Sequence, residues 1–318
     1  MPSKRQLFLQ HVAQTSPFPL MLEIERAEGM YLYGPGGERY LDLIAGIGVS
    51  SLGHRHPAVV AAAKAQLDRY LHTLVYGEFV LAPQVELAAL LAKQLPDPLE
   101  SVYFVNSGAE AAEGAMKLAK RYTGRYEIVA CRRAYHGSTQ GAASLMWPKD
   151  FTQAYHPLLP GIRHIEFNCE RCLEQITEKT ACVIMETVQG EWGVRPPAAG
   201  YLPAVRRRCD EVGALLVLDE IQAGYGRTGT LFAFEQYGIV PDILLLAKGM
   251  GGGMPIGAFV ASKEIMGALT HDPILGHITT FGGHPVSCAA ALATLQTLFH
   301  EDLIAQAKPK EERFREHL

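Results

Sequence analysis

The stretch ALLVLDEIQAGYGRTG, residues 214–229, contains the pattern that decides the fold. Its apolar run, 214–218, is typical of a strand that is buried on both faces of a sheet. The run ends in two carboxylates, Asp219 and Glu220. Because burial of an ionised carboxylate is costly unless something positive meets it, the pair indicates a place where a cation binds.

Five further apolar runs alternate with helical patterns along the chain, at 101–105, 126–131, 181–185, 242–246 and 257–261. Helical spacing of apolar residues follows the first of these runs and precedes the run at 214–218. A long apolar helical pattern begins after Pro285. Strands that alternate with helices predict an α/β fold, with a mostly parallel sheet flanked by helices on both faces.

The composition excludes several classes of protein. Hydrophobic residues make up 48% of the 318 residues and the net charge is −4, so we expect a large core and no preference for nucleic acid or an anionic membrane. No apolar run is long enough to span a membrane. Polar residues interrupt the basic N-terminal stretch, which makes it a poor secretion signal, and we therefore expect a cytoplasmic protein.

The six cysteines are expected to be free thiols in a cytosolic chain of this length. Cys169 and Cys172 form a CxxC motif, but no second pair is present for a zinc ribbon, and the local sequence NCERCLEQI indicates an ordinary helix start. His54 and His56 have no further ligands at suitable spacing. We interpret both histidines as structural and predict no metal site.

Polar residues follow the apolar runs, and ligands of open parallel sheets bind at the carboxyl ends of the strands. Three of these residues are Ser107, Tyr135 and Lys248, and each also has an ordinary structural interpretation. Ser107 could cap a helix, Tyr135 could be a half-buried aromatic residue, and Lys248 could reach the protein surface. Core packing, however, does not require all of them to meet at one edge of the sheet.

Two functions account for the buried carboxylates. A strand that ends in Asp-Glu resembles the magnesium-binding strand of P-loop ATPases, but the chain has no GxxxxGK[ST] motif. Pyridoxal phosphate needs a carboxylate for its pyridinium, a lysine for its aldehyde, a helix start for its phosphate and an aromatic face for its ring. Asp219, Lys248, residues 107–109 and Tyr135 supply these groups. On this interpretation the cation that meets Asp219 is a protonated pyridine nitrogen.

Six segments resemble, in order, the class III aminotransferases, the family that contains acetylornithine, ornithine and 4-aminobutyrate aminotransferases. They are NSGAEAAEGAMKLAK, AYHGST, METVQGEWG, LLVLDEIQAGYGRTG, PDILLLAKGMGGGMPIGA and TTFGGHP. The resemblance implies a type I pyridoxal-phosphate transferase fold with a second small domain, and a homodimer. It also implies transfer of an amino group from an amine or amino acid, including an ω-amino acid, to a 2-oxo acid.

The same resemblance implies a division of the chain into domains. Residues 1–45 would form an N-terminal arm or part of the small domain, and 46–285 the large cofactor-binding domain. Residues 286–318 would then lead towards a C-terminal small domain. Relatives normally continue past this point, so the sequence is either a fragment or an unusually short protein, and in the second case we expect the helix after Pro285 to expose an apolar stripe.

Site roles also follow from the resemblance. Lys248 would form the Schiff base with the cofactor and move the proton, and Asp219 would keep the ring nitrogen protonated. Thr280 would reach the phosphate in the neighbouring subunit, and Glu191 and Ser138 would line the substrate pocket. The remaining cofactor contacts would come from Ser107, Gly108, Ala109, Tyr135, His136, Glu186 and Gln222.

One departure from the family bears on the substrate. Many relatives have an arginine where this chain has Ser138, and a hydroxyl cannot replace a guanidinium that holds a carboxylate with two hydrogen bonds. We expect a donor without that carboxylate, unless Arg132 or Arg133 compensates. A decarboxylase, an aminomutase and a non-catalytic relative of the same fold remain alternatives.

Overall fold

The computed structural model describes residues 2–318, and its centre is a seven-stranded sheet. The strands are β1 Arg26–Glu28, β2 Tyr31–Tyr33, β3 Arg39–Leu41, β4 Ser101–Val105, β5 Glu127–Cys131, β6 Ile162–Ile165, β7 Thr180–Glu186, β8 Leu215–Asp219, β9 Ile243–Leu246 and β10 Gly257–Ala261. The α-helices are α1 Lys4–His11, α2 Ala45–Gly48, α3 Pro57–Arg69, α4 Ala82–Gln94, α5 Gly108–Thr123, α6 Gln140–Ser144, α7 Tyr201–Val212, α8 Lys263–Gly267, α9 Pro285–His300 and α10 Ala307–Arg315.

The order of strands in the large sheet is β4-β10-β9-β8-β7-β5-β6. Strands β6, β5, β7, β8 and β9 run parallel, whereas β10 is antiparallel to both of its neighbours. A separate antiparallel sheet contains β1, β2 and β3. The predicted fold class, a mostly parallel sheet flanked by helices, is confirmed.

The sheet separates two hydrophobic clusters, because successive side chains of a strand point to opposite faces. In β8, Leu216 and Leu218 belong to the cluster that contains residues of α4, α7 and α9. Leu215 and Val217 belong to the other cluster, which contains residues of α5 and α8. Burial on both faces explains why β8 has a continuous apolar sequence rather than an alternating one.

The helix α9 is buried rather than exposed, so the expectation of an uncovered apolar stripe after Pro285 is wrong. Most of its apolar side chains are buried, including Leu295, which has no exposed surface. The helix packs against α3 and α4, which come from much earlier in the chain. These two helices supply the cover that the local sequence did not predict.

The cysteines differ in part from expectation, because Cys169 and Cys172 form a disulfide. A 3₁₀ helix over Glu170–Gln175, rather than an α-helix start, brings their Cα atoms to 5.3 Å, within the range of a disulfide. The other four cysteines, Cys131, Cys182, Cys209 and Cys288, are free and buried.

The two histidines of the GHRHP segment pair with distant carboxylates. His54 Nε2 lies 2.7 Å from Asp42 Oδ2, and His56 Nε2 lies 3.2 Å from Glu301 Oε1. These contacts tie the chain near α3 to other elements and agree with a structural role. Within residues 2–318, no helix combines the length and the apolar character that crossing a membrane requires.

Leu295→Ala should destabilise the folded protein by about 2–5 kcal/mol, because it leaves a cavity where α9 meets the core. Urea unfolding followed by far-ultraviolet circular dichroism measures the change in free energy. Gln296→Ala, at an exposed position on the same helix, is the matched control and should change stability by less than about 0.5 kcal/mol. Equal effects of the two substitutions would contradict the burial of α9.

Candidate active site

A cavity of about 570 Å³ lies at the carboxyl ends of the parallel strands. Eleven of the twelve predicted site residues line it: Ser107, Gly108, Ala109, Tyr135, His136, Ser138, Glu186, Glu191, Asp219, Gln222 and Lys248. The twelfth, Thr280, is exposed and is not part of the lining. Residues from five strand ends and the following loops therefore meet in one place.

The carboxylate of Asp219 meets a histidine in the protein itself. Its Oδ2 lies 2.7 Å from Nδ1 of His136, and its Oδ1 accepts a hydrogen bond from the backbone N–H of Ile221 at 2.9 Å. Asp219 is 3% exposed and His136 is 2% exposed. Burial by itself lowers the pKa of His136, but the hydrogen bond and charge of Asp219 outweigh burial, and the pKa is raised.

Glu186, at the end of β7, joins two loops of the site. One carboxylate oxygen accepts from the backbone N–H of Tyr135 at 3.2 Å, and the other accepts from the N–H of Gly190 at 3.0 Å. Burial raises the pKa of Glu186 to about 7, although the charge of His136 opposes the shift. Glu186 thus holds the loop after β5 against the loop after β7.

Glu220, the second carboxylate of the opening stretch, has a structural role away from the cavity. It accepts hydrogen bonds from Thr187 Oγ1 at 2.7 Å and from the backbone N–H groups of Ala233 and Phe234 at 2.7 and 2.8 Å. Burial raises the pKa of Glu220 to about 7. Because Glu220 is held by protein donors outside the cavity, the two carboxylates do not share one site as they would in the magnesium-binding strand of an ATPase.

The start of α5 forms one wall of the cavity. Ser107 caps this helix, and its Oγ accepts from the N–H of Glu110 at 3.2 Å. The N–H groups of the first turn have no partner within the helix, and the helix dipole makes this end attractive to a phosphate. Gly108 allows the chain to approach the next wall, because a Cβ there would lie 2.8 Å from Ile221 Cδ1.

Lys248 follows β9 and is partly buried in the cavity wall. Its backbone adopts a φ of 47°, in the left-handed region that non-glycine residues rarely occupy. Such backbone conformations are concentrated at functional sites, where the surrounding structure enforces them. Lys248 lines the same cavity as Asp219.

Polar contacts link the residues expected to meet the substrate. Gln222 Nε2 donates to Glu191 Oε1 at 3.2 Å, and the hydroxyls of Tyr135 and Ser138 lie 3.0 Å apart. Gly190 packs so tightly against Gln222 that a Cβ would overlap its side-chain amide. These contacts fix one side of the cavity around Glu191 and Ser138.

The sequence reasoning missed several residues at the site. Val188 and Ile221 contribute apolar surface to the cavity. Arg227 donates to the backbone oxygens of Gln222 at 3.1 Å and Gly48 at 2.7 Å, which fastens the segment 46–48 to the site. Val188 and Ile221 stand within two residues of predicted polar positions, which is the signal that would have found them.

The cavity fits pyridoxal phosphate by the chemistry of its groups. A helix N-terminus for the phosphate, a buried carboxylate for the ring nitrogen, an amine for the aldehyde and an aromatic side chain surround one space. A volume of about 570 Å³ is in the range of cofactor sites. In addition, His136 Nε2 is buried and has no hydrogen-bond partner among the described residues.

Comparison with known proteins agrees with the geometry. The family model Aminotransferase class-III matches residues 12–318. Acetylornithine aminotransferase of Methanopyrus kandleri is 44% identical over 303 residues, which cover 94% of this chain and 76% of that protein. Putrescine aminotransferase of Pectobacterium atrosepticum is 47% identical over 286 residues, which cover 85% of this chain and 60% of that protein.

A solved structure is also similar. Ornithine aminotransferase from Toxoplasma gondii superposes with a TM-score of 0.91 at 31% identity, covering 98% of this chain and 74% of its own. That structure was described with partial occupancy of PLP at its active site. The likeness therefore extends over the sheet, its helices and the cavity at the strand ends.

The buried carboxyl group of Glu186, at the end of β7, predicts that the stability of the protein depends on pH. The pKa of Glu186 is near 7 in the folded chain and near 4.5 when unfolded, so its contribution is fully present below pH 4.5 and is lost as the pH rises through 7. We expect the free energy of unfolding of the cofactor-free protein to fall across this window. Glu186→Gln should flatten the fall, measured by urea unfolding at several pH values.

Glu220 contributes with the same sign, so part of the slope should remain in Glu186→Gln. Glu178→Gln, at an exposed glutamate outside the site, should leave the profile unchanged. A profile of Glu186→Gln that coincides with that of the wild type would show that Glu186 is not the titrating group.

Proposed function

The chain belongs to the class-III aminotransferases, and we propose that it transfers an amino group from an amine or amino-acid donor to a 2-oxo acid. Enzymes of this family depend on pyridoxal phosphate. The observation that supports the proposal most strongly is the presence of Lys248 and Asp219 in one cavity with the N-terminus of α5. The names of the two curated relatives refer to acetylornithine and putrescine, so both amino-acid and simple amine donors are candidates.

Each part of the cofactor has a partner in the proposed site. The N–H groups at the start of α5, with Ser107, would bind the phosphate, and Tyr135 would stack on the ring. Asp219 would hold the ring nitrogen in its protonated form, because a buried carboxylate strongly favours a cation nearby. His136, Glu186 and Gln222 would complete the contacts, the first by holding Asp219 in place.

The chemistry divides between the cofactor and the protein. When bound, pyridoxal phosphate supplies an aldehyde that condenses with amines and a ring that accepts electron density from the adjacent carbon. Lys248 would bind the aldehyde between turnovers, and its amine would take up and return the proton of the donor carbon. Asp219, held in place by His136, would keep the positive charge of the ring.

The test is a single-turnover measurement with a panel of amines and amino acids. Without an acceptor, the loaded protein should release one equivalent of a carbonyl product per site, and addition of pyruvate or 2-oxoglutarate should start continuous turnover. Lys248→Ala should reduce the rate by about 10³-fold or more, since it removes both the attachment point and the proton carrier. Lys263→Ala, at an exposed lysine paired with Glu100, is the matched control.

The products distinguish the alternatives. Release of carbon dioxide would identify a decarboxylase, and an isomeric amino acid would identify an aminomutase. If borohydride reduction and peptide mass spectrometry find the cofactor on Lys248 but no donor reacts, the chain is a non-catalytic relative. Absence of the cofactor from that peptide would contradict the assignment of Lys248.

We also propose that the chain acts as a homodimer in which Thr280 reaches the phosphate of the neighbouring site. The loop that contains Thr280 adjoins exposed apolar surface, because Phe79 and Val80 line a cavity together with Gly282. Phe79 is 56% exposed and Val80 is 91% exposed. Surface of this kind supports burial against a second copy. A cytoplasmic location and the domain boundaries given above stay predictions.

Mixing two inactive variants tests the position of Thr280. Thr280→Glu should be inactive because its charge repels the phosphate, and Lys248→Ala should be inactive for the reason above. If Thr280 acts across the interface, one site of each mixed dimer keeps both wild-type residues, and activity should return after unfolding and refolding the mixture. No recovery, with sedimentation showing dimers, would place Thr280 in its own subunit's site.

A further inference from the structure

A second cavity, of about 380 Å³, adjoins the proposed active site and is lined mainly by aromatic and apolar side chains. The chain has two tryptophans, and both line this cavity. Trp147 and Phe151 come from the segment after α6, and Trp192 comes from the loop after β7. We call it the tryptophan cavity.

The tryptophan cavity shares walls with the active-site cavity. Tyr135 and Glu191 line both spaces. These are the residues that contact Ser138 and Gln222, on the side of the active site where the substrate is expected. A donor whose amine lies near Lys248 can therefore extend a tail past Tyr135 and Glu191 into the tryptophan cavity.

The charges around the tryptophans decide which tail the cavity accepts. The guanidinium of Arg132 lies 4.9 Å from the ring centre of Trp147, and Nζ of Lys149 lies 5.6 Å from the same ring. The guanidinium of Arg133 lies 6.0 Å from the ring centre of Trp192. Because three cations already face these rings, a further ammonium would be repelled by like charge.

A carboxylate is disfavoured for a different reason. Glu191 is the one carboxylate in the lining of the tryptophan cavity, and it also lines the active-site cavity. Arg132, Arg133 and Lys149 would attract a carboxylate from a distance, but none of them lines the tryptophan cavity, so a carboxylate there would lose its water without gaining a hydrogen bond to a cation. The aromatic and apolar surface that remains favours a neutral group.

We propose that the tryptophan cavity binds the neutral aryl or bulky alkyl tail of the amino donor, which makes this protein selective for aryl-alkyl amines. This assignment rests on the proposed transaminase function and specifies its donor class. Burial of a phenyl group should lower KM on the order of 10- to 100-fold relative to the same amine without the ring.

Tryptophan fluorescence tests the cavity without catalysis. The cofactor-loaded protein is titrated with 4-phenyl-1-butanol, which has no amine, and with 1-butanol. We expect a saturable change in emission with the phenyl compound at concentrations at least tenfold lower than with butanol. Trp192→Ala and Trp147→Ala, each of which keeps the other tryptophan as reporter, should weaken binding by about tenfold.

Steady-state kinetics with pyruvate as acceptor then tests selectivity. The donors share a four-carbon chain: 4-phenylbutylamine, butylamine, 1,4-diaminobutane and 4-aminobutyrate. The phenyl donor should have the lowest KM, and the two tryptophan variants should raise that KM about tenfold while the KM of butylamine stays within about twofold. Phe314→Ala, at an exposed aromatic residue on α10, is the control for loss of an aromatic side chain and should change neither value.

The outcomes separate this inference from the function on which it rests. Equal KM values for the phenyl donor and butylamine, or a preference for the diamine or the amino acid that the tryptophan variants leave intact, would overturn the donor class. If no amine reacts, the transaminase proposal fails, and with it the donor class. The fluorescence titration then still decides whether the cavity binds neutral aryl groups.

Discussion

The buried carboxylate of Asp219 is the constraint on which the rest of the site depends. An ionised group at 3% exposure is tolerated only where donors meet both oxygens, and His136 and the N–H of Ile221 do so. Glu186 is the register partner of Asp219 across β7 and β8, and it fixes the loop that contains His136 through the N–H of Tyr135. The parallel register of β7 and β8 therefore determines where along the edge of the sheet the charged groups meet.

The strands could be predicted because burial on both faces leaves a continuous apolar run, as in β8. Strand β6 was missed because IRHI, at the sheet edge, is short and partly polar. The direction of β10 could not be inferred, since an apolar run such as GAFVA has the same pattern in either orientation. The burial of α9 could not be predicted, because the two helices that cover it, α3 and α4, lie some two hundred residues earlier in the sequence.

The meeting of Asp219 and Lys248 in one cavity was predictable, because each residue lies at or just after the end of a strand. Contacts between distant segments were not: 83 positions separate His136 from Asp219, and no local pattern specifies that they touch. The disulfide between Cys169 and Cys172 depends on a 3₁₀ turn that the sequence does not distinguish from an α-helix start. Glu220 was grouped with the site although its hydrogen bonds stabilise the fold.

The two cavities differ in how freely the residues that line them can be substituted. Asp219 and Lys248 stand at strand ends within the packed sheet, where a change of backbone disturbs the core. Trp147 and Trp192 stand on surface segments, and surface segments tolerate substitution and insertion. Natural or laboratory evolution could therefore exchange the proposed recognition surface of this protein while the proposed reactive centre stays intact.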